Sequence, residues 1–130
     1  MEIVITQWAL DSYLDLKHSG AFTKVEYKNT MRPDVLLMKT FPADPKFKVN
    51  NFWGPAIGAS PIPNGYKFKW HNMGNGQNQI RGPVGIFSEA ILCEAYVKKT
   101  SRQEKRKLEV FRTHLQMIQN GHFTECGRLT

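Results

Sequence analysis

Lys67, Lys69 and His71 alternate with Tyr66, Phe68 and Trp70. Alternation with a period of two predicts a strand that buries its aromatic face and turns its basic face outward. Arg81 follows on the next strand-like segment, and Lys98, Lys99, Arg102, Lys105, Arg106 and Lys107 form a run broken by a single acid, Glu104. Cations gathered in this way can hold a phosphate backbone and can stabilise charge that develops on a reacting phosphate. The plainer reading of the same residues is a solvated face of a sheet and a helix, with Arg81 as a structural partner of Glu89 or Glu94. A basic run at a helix start opposes the helix macrodipole, gains little local stability, and so hints at a ligand.

Other residues offer less. His18, His71, His114 and His122 lack metal-ligand spacing, and His122 with Cys126 is one weak pair, so no metal is expected. Gly74-Asn75-Gly76 has no lysine-bearing helix behind it and reads as a tight turn rather than a phosphate cradle. Phe52, Trp53 and Trp70 could stack on bases, but core packing is the commoner use of such residues.

The formal charge of +7 is one-sided. Residues 1–60 carry seven Lys/Arg against six Asp/Glu, or +1, and residues 61–130 carry eleven against five, or +6. Such a balance steers a chain toward phosphate backbones or acidic proteins. A length of 130 residues suits one domain with one core. No apolar run approaches the roughly 18 residues of a membrane span, the opening Met1-Glu2-Ile3-Val4-Ile5-Thr6 is unlike an export signal, and two cysteines are too few for a disulfide framework. A reducing cytoplasm is the expected location.

These side chains must be positioned by the elements around them. Met1–Thr6 predicts a short strand, with Thr6 capping a helix over Gln7–Lys17 that stops at Ser19-Gly20. Pro33 opens a second helix through Val35, Leu36, Leu37 and Met38 to Phe41-Pro42. Residues 42–64, rich in Pro, Gly and Asn, predict a long ordered loop or insertion pinned by Phe47, Phe52, Trp53 and Ile57. After the strand at 66–71 and the turn, a second strand is expected from Gln79 to Phe87. Ala90–Val97 fits either a helix capped by Ser88 or a buried strand, and its shortness and Tyr96-Val97 ending favour the strand. Ser101-Arg102-Gln103-Glu104 matches a capping box before Leu108, Phe111, Leu115 and Ile118, which recur at helical spacing, and residues 122–130 read as a loose tail. The expected class is α+β: a small antiparallel sheet with two N-terminal helices packed on one face, charge on the other, and a C-terminal helix.

The strand entering a Trp-containing helix resembles toxins of the RelE/ParE superfamily from bacterial toxin-antitoxin pairs. So does Ile91-Leu92-Cys93-Glu94-Ala95-Tyr96-Val97-Lys98-Lys99-Thr100 before a capped helix, since many members end the last strand in an aromatic or apolar residue, Val, then Lys-Lys-Thr. The resemblance covers about two thirds of the chain and implies a RelE-like fold. In the RelE, HigB and YoeB branches it implies a ribosome-dependent endonuclease that needs no cofactor. Its concave face cuts messenger RNA by attack of the ribose 2′-hydroxyl on the adjacent phosphate. The implied partners are a cognate antitoxin, the ribosome and messenger RNA.

Carried over by residue, the resemblance gives catalytic roles to Arg81, as the clamp on the scissile phosphate, to Lys69 and Lys98, and to His71, whose titration near neutrality suits proton transfer. Tyr96 is a further candidate for that task. Lys67, Lys99, Arg102, Lys105 and Arg106 would bind RNA. The chain departs from the pattern in two places: it lacks the tyrosine or His-Tyr ending of several ribosome-dependent members, with His122-Phe123 the nearest approach, and the segment at 42–64 is longer than usual. A ParE-like inhibitor of DNA gyrase, or a phage-derived RNA- or protein-binding member without activity, are the alternatives.

Overall fold

The structure, a computed structural model, describes all residues from Met1 to Thr130. Strand β1 (Ile3–Thr6) runs directly into helix α1 (Gln7–His18). Thr6 makes this junction possible because its buried hydroxyl accepts from the Ala9 amide at 3.1 Å and donates to the Leu92 carbonyl at 2.7 Å. Ser19 caps the end of α1, and Gly20, at φ +77°, turns the chain away.

The second helical segment starts earlier than Pro33. Helix α2 (Lys24–Glu26) has a capping box made by Thr23 and Glu26, and it continues through a π-turn at Tyr27–Met31 into α3 (Arg32–Leu36) and a 3₁₀ turn at Leu37–Thr40. The sequence signal there is weak because the apolar spacing follows three helical periods in turn.

The sheet is larger than the small antiparallel one expected. Its strands are β2 (Trp53–Ile57), β3 (Pro61–Asn72), β4 (Asn78–Ile86), β5 (Ala90–Leu92), β6 (Tyr96–Val97) and β7 (Glu125–Arg128), together with β1. The seven strands lie in the order β2-β3-β4-β5-β1-β7, with β6 paired to β4. All pairings are antiparallel except β1 with β5. The long β3–β4 hairpin turns through Asn72, Gly74 and Asn75, all at positive φ.

Two expectations about irregular segments change. Residues 42–64 hold a 3₁₀ turn at Pro45–Lys48, the edge strand β2 and the start of β3. Residues 122–130 carry β7, which pairs with the edge of β1. The β1–β7 pairing is long-range, whereas β2 pairs with β3 across residues 58–60 as a hairpin whose Pro and Gly content masks the strand signal. The run at 90–97 is strand, as favoured, but it is split: β5 pairs with β1 and β4, and β6 pairs with β4 alone.

Both faces of the sheet are covered, so the expected open, charged face is only half present. One face packs Ile3, Phe68, Trp70, Ile80, Val84 and Leu92 against Ala9, Met31, Val35 and Met38 of the N-terminal helical segments and Phe22 of the connection between them. The other packs Val4, Ala56, Ile62, Ile91, Cys93 and Tyr96 against Leu108, Phe111, Leu115 and Ile118 of helix α4 (Ser101–Gln119). Helix α4 is capped by Thr100, whose hydroxyl accepts from the Gln103 amide, rather than by Ser101. That shift of one residue frees Glu104 from capping and turns its side chain toward the sheet. Near β2, buried Asp34 accepts from the Trp70 indole at 3.0 Å and from Lys46 at 2.7 Å, which ties the 42–52 segment to the first face.

Candidate functional site

Helix α4 covers the apolar half of the second face and begins at its basic half. There the sheet register sets three side chains in a row across three strands: Lys69 of β3 lies opposite Arg81 of β4, which lies opposite Tyr96 of β6. Directly opposed side chains on one face are near neighbours, and two like charges so placed repel. Lys67, two residues along β3, stands on the same face.

Glu104 enters this cluster from the first turn of α4. Its Oε2 accepts from the Tyr96 hydroxyl at 2.7 Å and from Lys67 Nζ at 3.3 Å, and lies 3.8 Å from Arg81 Nε. Its Oε1 lies 3.8 Å from Lys98 Nζ. Three cations, Lys67, Arg81 and Lys98, therefore meet one carboxylate, and Lys69 stands beside them opposite Arg81.

Arg81 is the most unusual member. It is 6% exposed, yet its guanidinium makes one hydrogen bond, a long one of 3.4 Å from NH1 to the neighbouring Ile80 carbonyl. A guanidinium has five N–H donors, and those that Arg81 leaves without a partner are not sealed off, since His114 Nδ1 is the one buried side-chain nitrogen or oxygen lacking a partner; the free edge of the guanidinium reaches solvent. Burial pulls its pKa down, and Glu104 opposes that pull. The Glu89 and Glu94 partners considered for it are otherwise engaged, Glu89 by Arg128 and Glu94 by Lys107 at 3.8 Å.

The electrostatics follow from this crowding. Burial pushes the Glu104 carboxyl up, but Tyr96, Lys67 and Lys98 outweigh it and hold the group below its ordinary range. Burial and then Glu104 drive the Tyr96 phenol well above its usual value, so it is a fixed hydrogen-bond donor. Lys69 has a lowered pKa, first through burial and then through the charges of Lys67 and Arg81. Its Nζ donates to the Asn50 carbonyl at 2.6 Å.

The remaining residues named from sequence fall into two groups. His71 lies on the same face beyond Lys69, but both ring nitrogens are occupied, Nδ1 by Gln79 Oε1 and Nε2 by the Asn51 carbonyl, each at 2.7 Å. The structure therefore holds it as a clamp on the 50–52 loop. Arg102 and Lys105 are exposed on α4. Lys99 and Arg106 line a groove of about 760 Å³ between α1 and α4 and not the cluster. Glu104 was missed as a site residue, although it is the one acid inside the basic run, which was its available signal.

No three His, Cys, Asp or Glu side chains gather so as to hold a metal ion, and no helix is long and apolar enough to cross a membrane. No family model matches the chain, and no curated protein or solved structure matches it.

Proposed function

We propose that this chain is a RelE-like toxin that cuts messenger RNA presented by the ribosome in the cytoplasm, and that Arg81 clamps the scissile phosphate. The observation that carries the reading is Arg81 itself, a buried guanidinium with one long hydrogen bond in a row of cations. A planar fork with free donors is suited to an oxyanion, and Lys67 and Lys98 add charge without competing geometry. In the reaction the 2′-oxygen–phosphorus bond forms and the phosphorus–5′-oxygen bond breaks. The leaving 5′-oxygen takes a proton from solvent, and the products are a 2′,3′-cyclic phosphate and a 5′-hydroxyl end.

Lys69 is the proton acceptor in this reading. Its lowered pKa makes the neutral amine more available near the working pH, and its position opposite Arg81 supports a role next to the phosphate that Arg81 would hold. The exposed cations Arg102 and Lys105 extend the charge along α4 for the flanking RNA, or for an acidic segment of an antitoxin.

Inducible expression in bacteria, with transcript ends mapped, tests the reading. Growth arrest with new cleavages inside translated codons is expected, and Arg81 and Lys69 both changed to Ala should abolish both effects in a folded protein. Arrest with intact transcripts would replace this reading with a protein target such as gyrase, and unchanged toxicity of the double variant would rule out the site.

A further inference from the structure

We propose that Glu104 holds the place of the substrate phosphate, so that an RNA phosphodiester binds by displacing this carboxylate from among Tyr96, Lys67, Arg81 and Lys98. The inference rests on the proposed RNA reading for the identity of its ligand, and the site it defines is a phosphate subsite at the first turn of α4.

Three features support the exchange. The Glu104 carboxylate presents two oxygens to the cluster, one facing Tyr96, Lys67 and Arg81 and the other facing Lys98. A phosphodiester offers the same donors two nonbridging oxygens of similar spread that share one negative charge. The carboxylate is also a poor fit for Arg81, since the approach at 3.8 Å through Nε is beyond hydrogen-bond length and leaves the bidentate fork unused. A tetrahedral group, with oxygens in more directions, can reach the fork and the Tyr96 hydroxyl together. Finally, one carboxylate leaves Lys67, Arg81 and Lys98 with a net charge of +2, which favours a second negative charge or a replacement that carries its own neighbours along an RNA strand.

Glu104 is itself largely buried, its side chain 12% exposed, but its neighbours Ser101, Arg102, Gln103 and Lys105 are exposed, so a carboxylate leaving the cluster enters solvent beside them and away from the Leu108, Phe111 and Leu115 contacts that hold the helix. When it leaves, the incoming phosphate keeps Arg81 and Lys67 compensated. The exchange also makes the free protein selective, because an anion must offer more than one carboxylate does in order to enter.

The test compares wild type with Glu104→Gln, using inorganic phosphate and a short single-stranded RNA as probes and chloride at equal ionic strength as the control. Glu104→Gln is expected to bind the RNA about tenfold more tightly and to gain more thermal stability from phosphate than wild type does. If the variant folds poorly alone, rescue by phosphate and not by chloride supports the exchange, and failure of rescue overturns it. Equal or weaker binding by a folded Glu104→Gln also overturns it and leaves Glu104 as a plain structural counter-ion. Stronger phosphate binding by the variant with no RNA binding by either protein would retain the exchange and refute the RNA reading.

Discussion

The Tyr96 hydroxyl donates to Glu104 at 2.7 Å, and through this contact the first turn of α4 reaches across to the row of cations on β3 and β4. Strand, helix and charge cluster are thereby joined at one carboxylate. Replacing Tyr96 by Phe keeps the packing but removes the donor. It should cost about 1 kcal/mol of stability, read from denaturant midpoints, and an unchanged midpoint would show that the contact contributes nothing.

Lys69 gives a pH dependence with a definite sign. As a proton acceptor it works in its neutral form, so the cleavage rate should rise with pH through a pKa below the ordinary lysine value. Lys69→Arg keeps the charge, cannot titrate, and should flatten the rise. Single-turnover rates on a ribosome-bound message would show it, and a rate that falls over the same range would assign Lys69 the opposite role.

Asp34 anchors the segment that carries β2. Its carboxylate takes the buried Trp70 indole N–H as well as Lys46, which itself lies 4.3 Å from the centre of the Phe52 ring. Asp34→Ala leaves the indole without a partner and should destabilise the fold by about 2 kcal/mol. Amide exchange in residues 45–57 should accelerate more than exchange in α4.

Acid should weaken the corner between α2 and the β3–β4 turn. Burial pushes the Glu26 carboxyl up, but the amides of Thr23, Gly74 and Asn75 outweigh it and hold its pKa below the ordinary value. A carboxylate with a lowered folded pKa stabilises fully above its unfolded pKa, and that contribution is lost as pH falls through the folded value. Unfolding free energy should therefore drop below about pH 4, and Glu26→Gln should make the drop shallower.

The legible parts of the sequence were those fixed by strong local pattern. Tyr66–Trp70 alternates and became β3, Thr6 caps α1, and Leu108, Phe111, Leu115 and Ile118 bury one stripe of α4. The less legible parts depend on partner strands that the local pattern does not show, distant for β7 and the next strand for β2. Strand β7 exists because β1 offers an edge, and β2 exists because β3 is long enough to pair with it. The cations of the site could be read as a set, because alternation places Lys67, Lys69 and His71 on one side of β3. Their common acid was marked only by its place inside the basic run, and its direction was hidden, because Thr100 and Ser101 are both good caps and the choice between them decides where Glu104 points.

The binding of single-stranded RNA as a function of salt, for wild type and for Arg81→Lys, tests the phosphate clamp most directly. Wild type should show affinity that falls steeply with salt, and Arg81→Lys, which keeps the charge but loses the fork, should bind about tenfold more weakly with a nearly unchanged salt slope. Equal affinity of the two proteins, or binding indifferent to salt, would contradict Arg81 as the group that holds the phosphate.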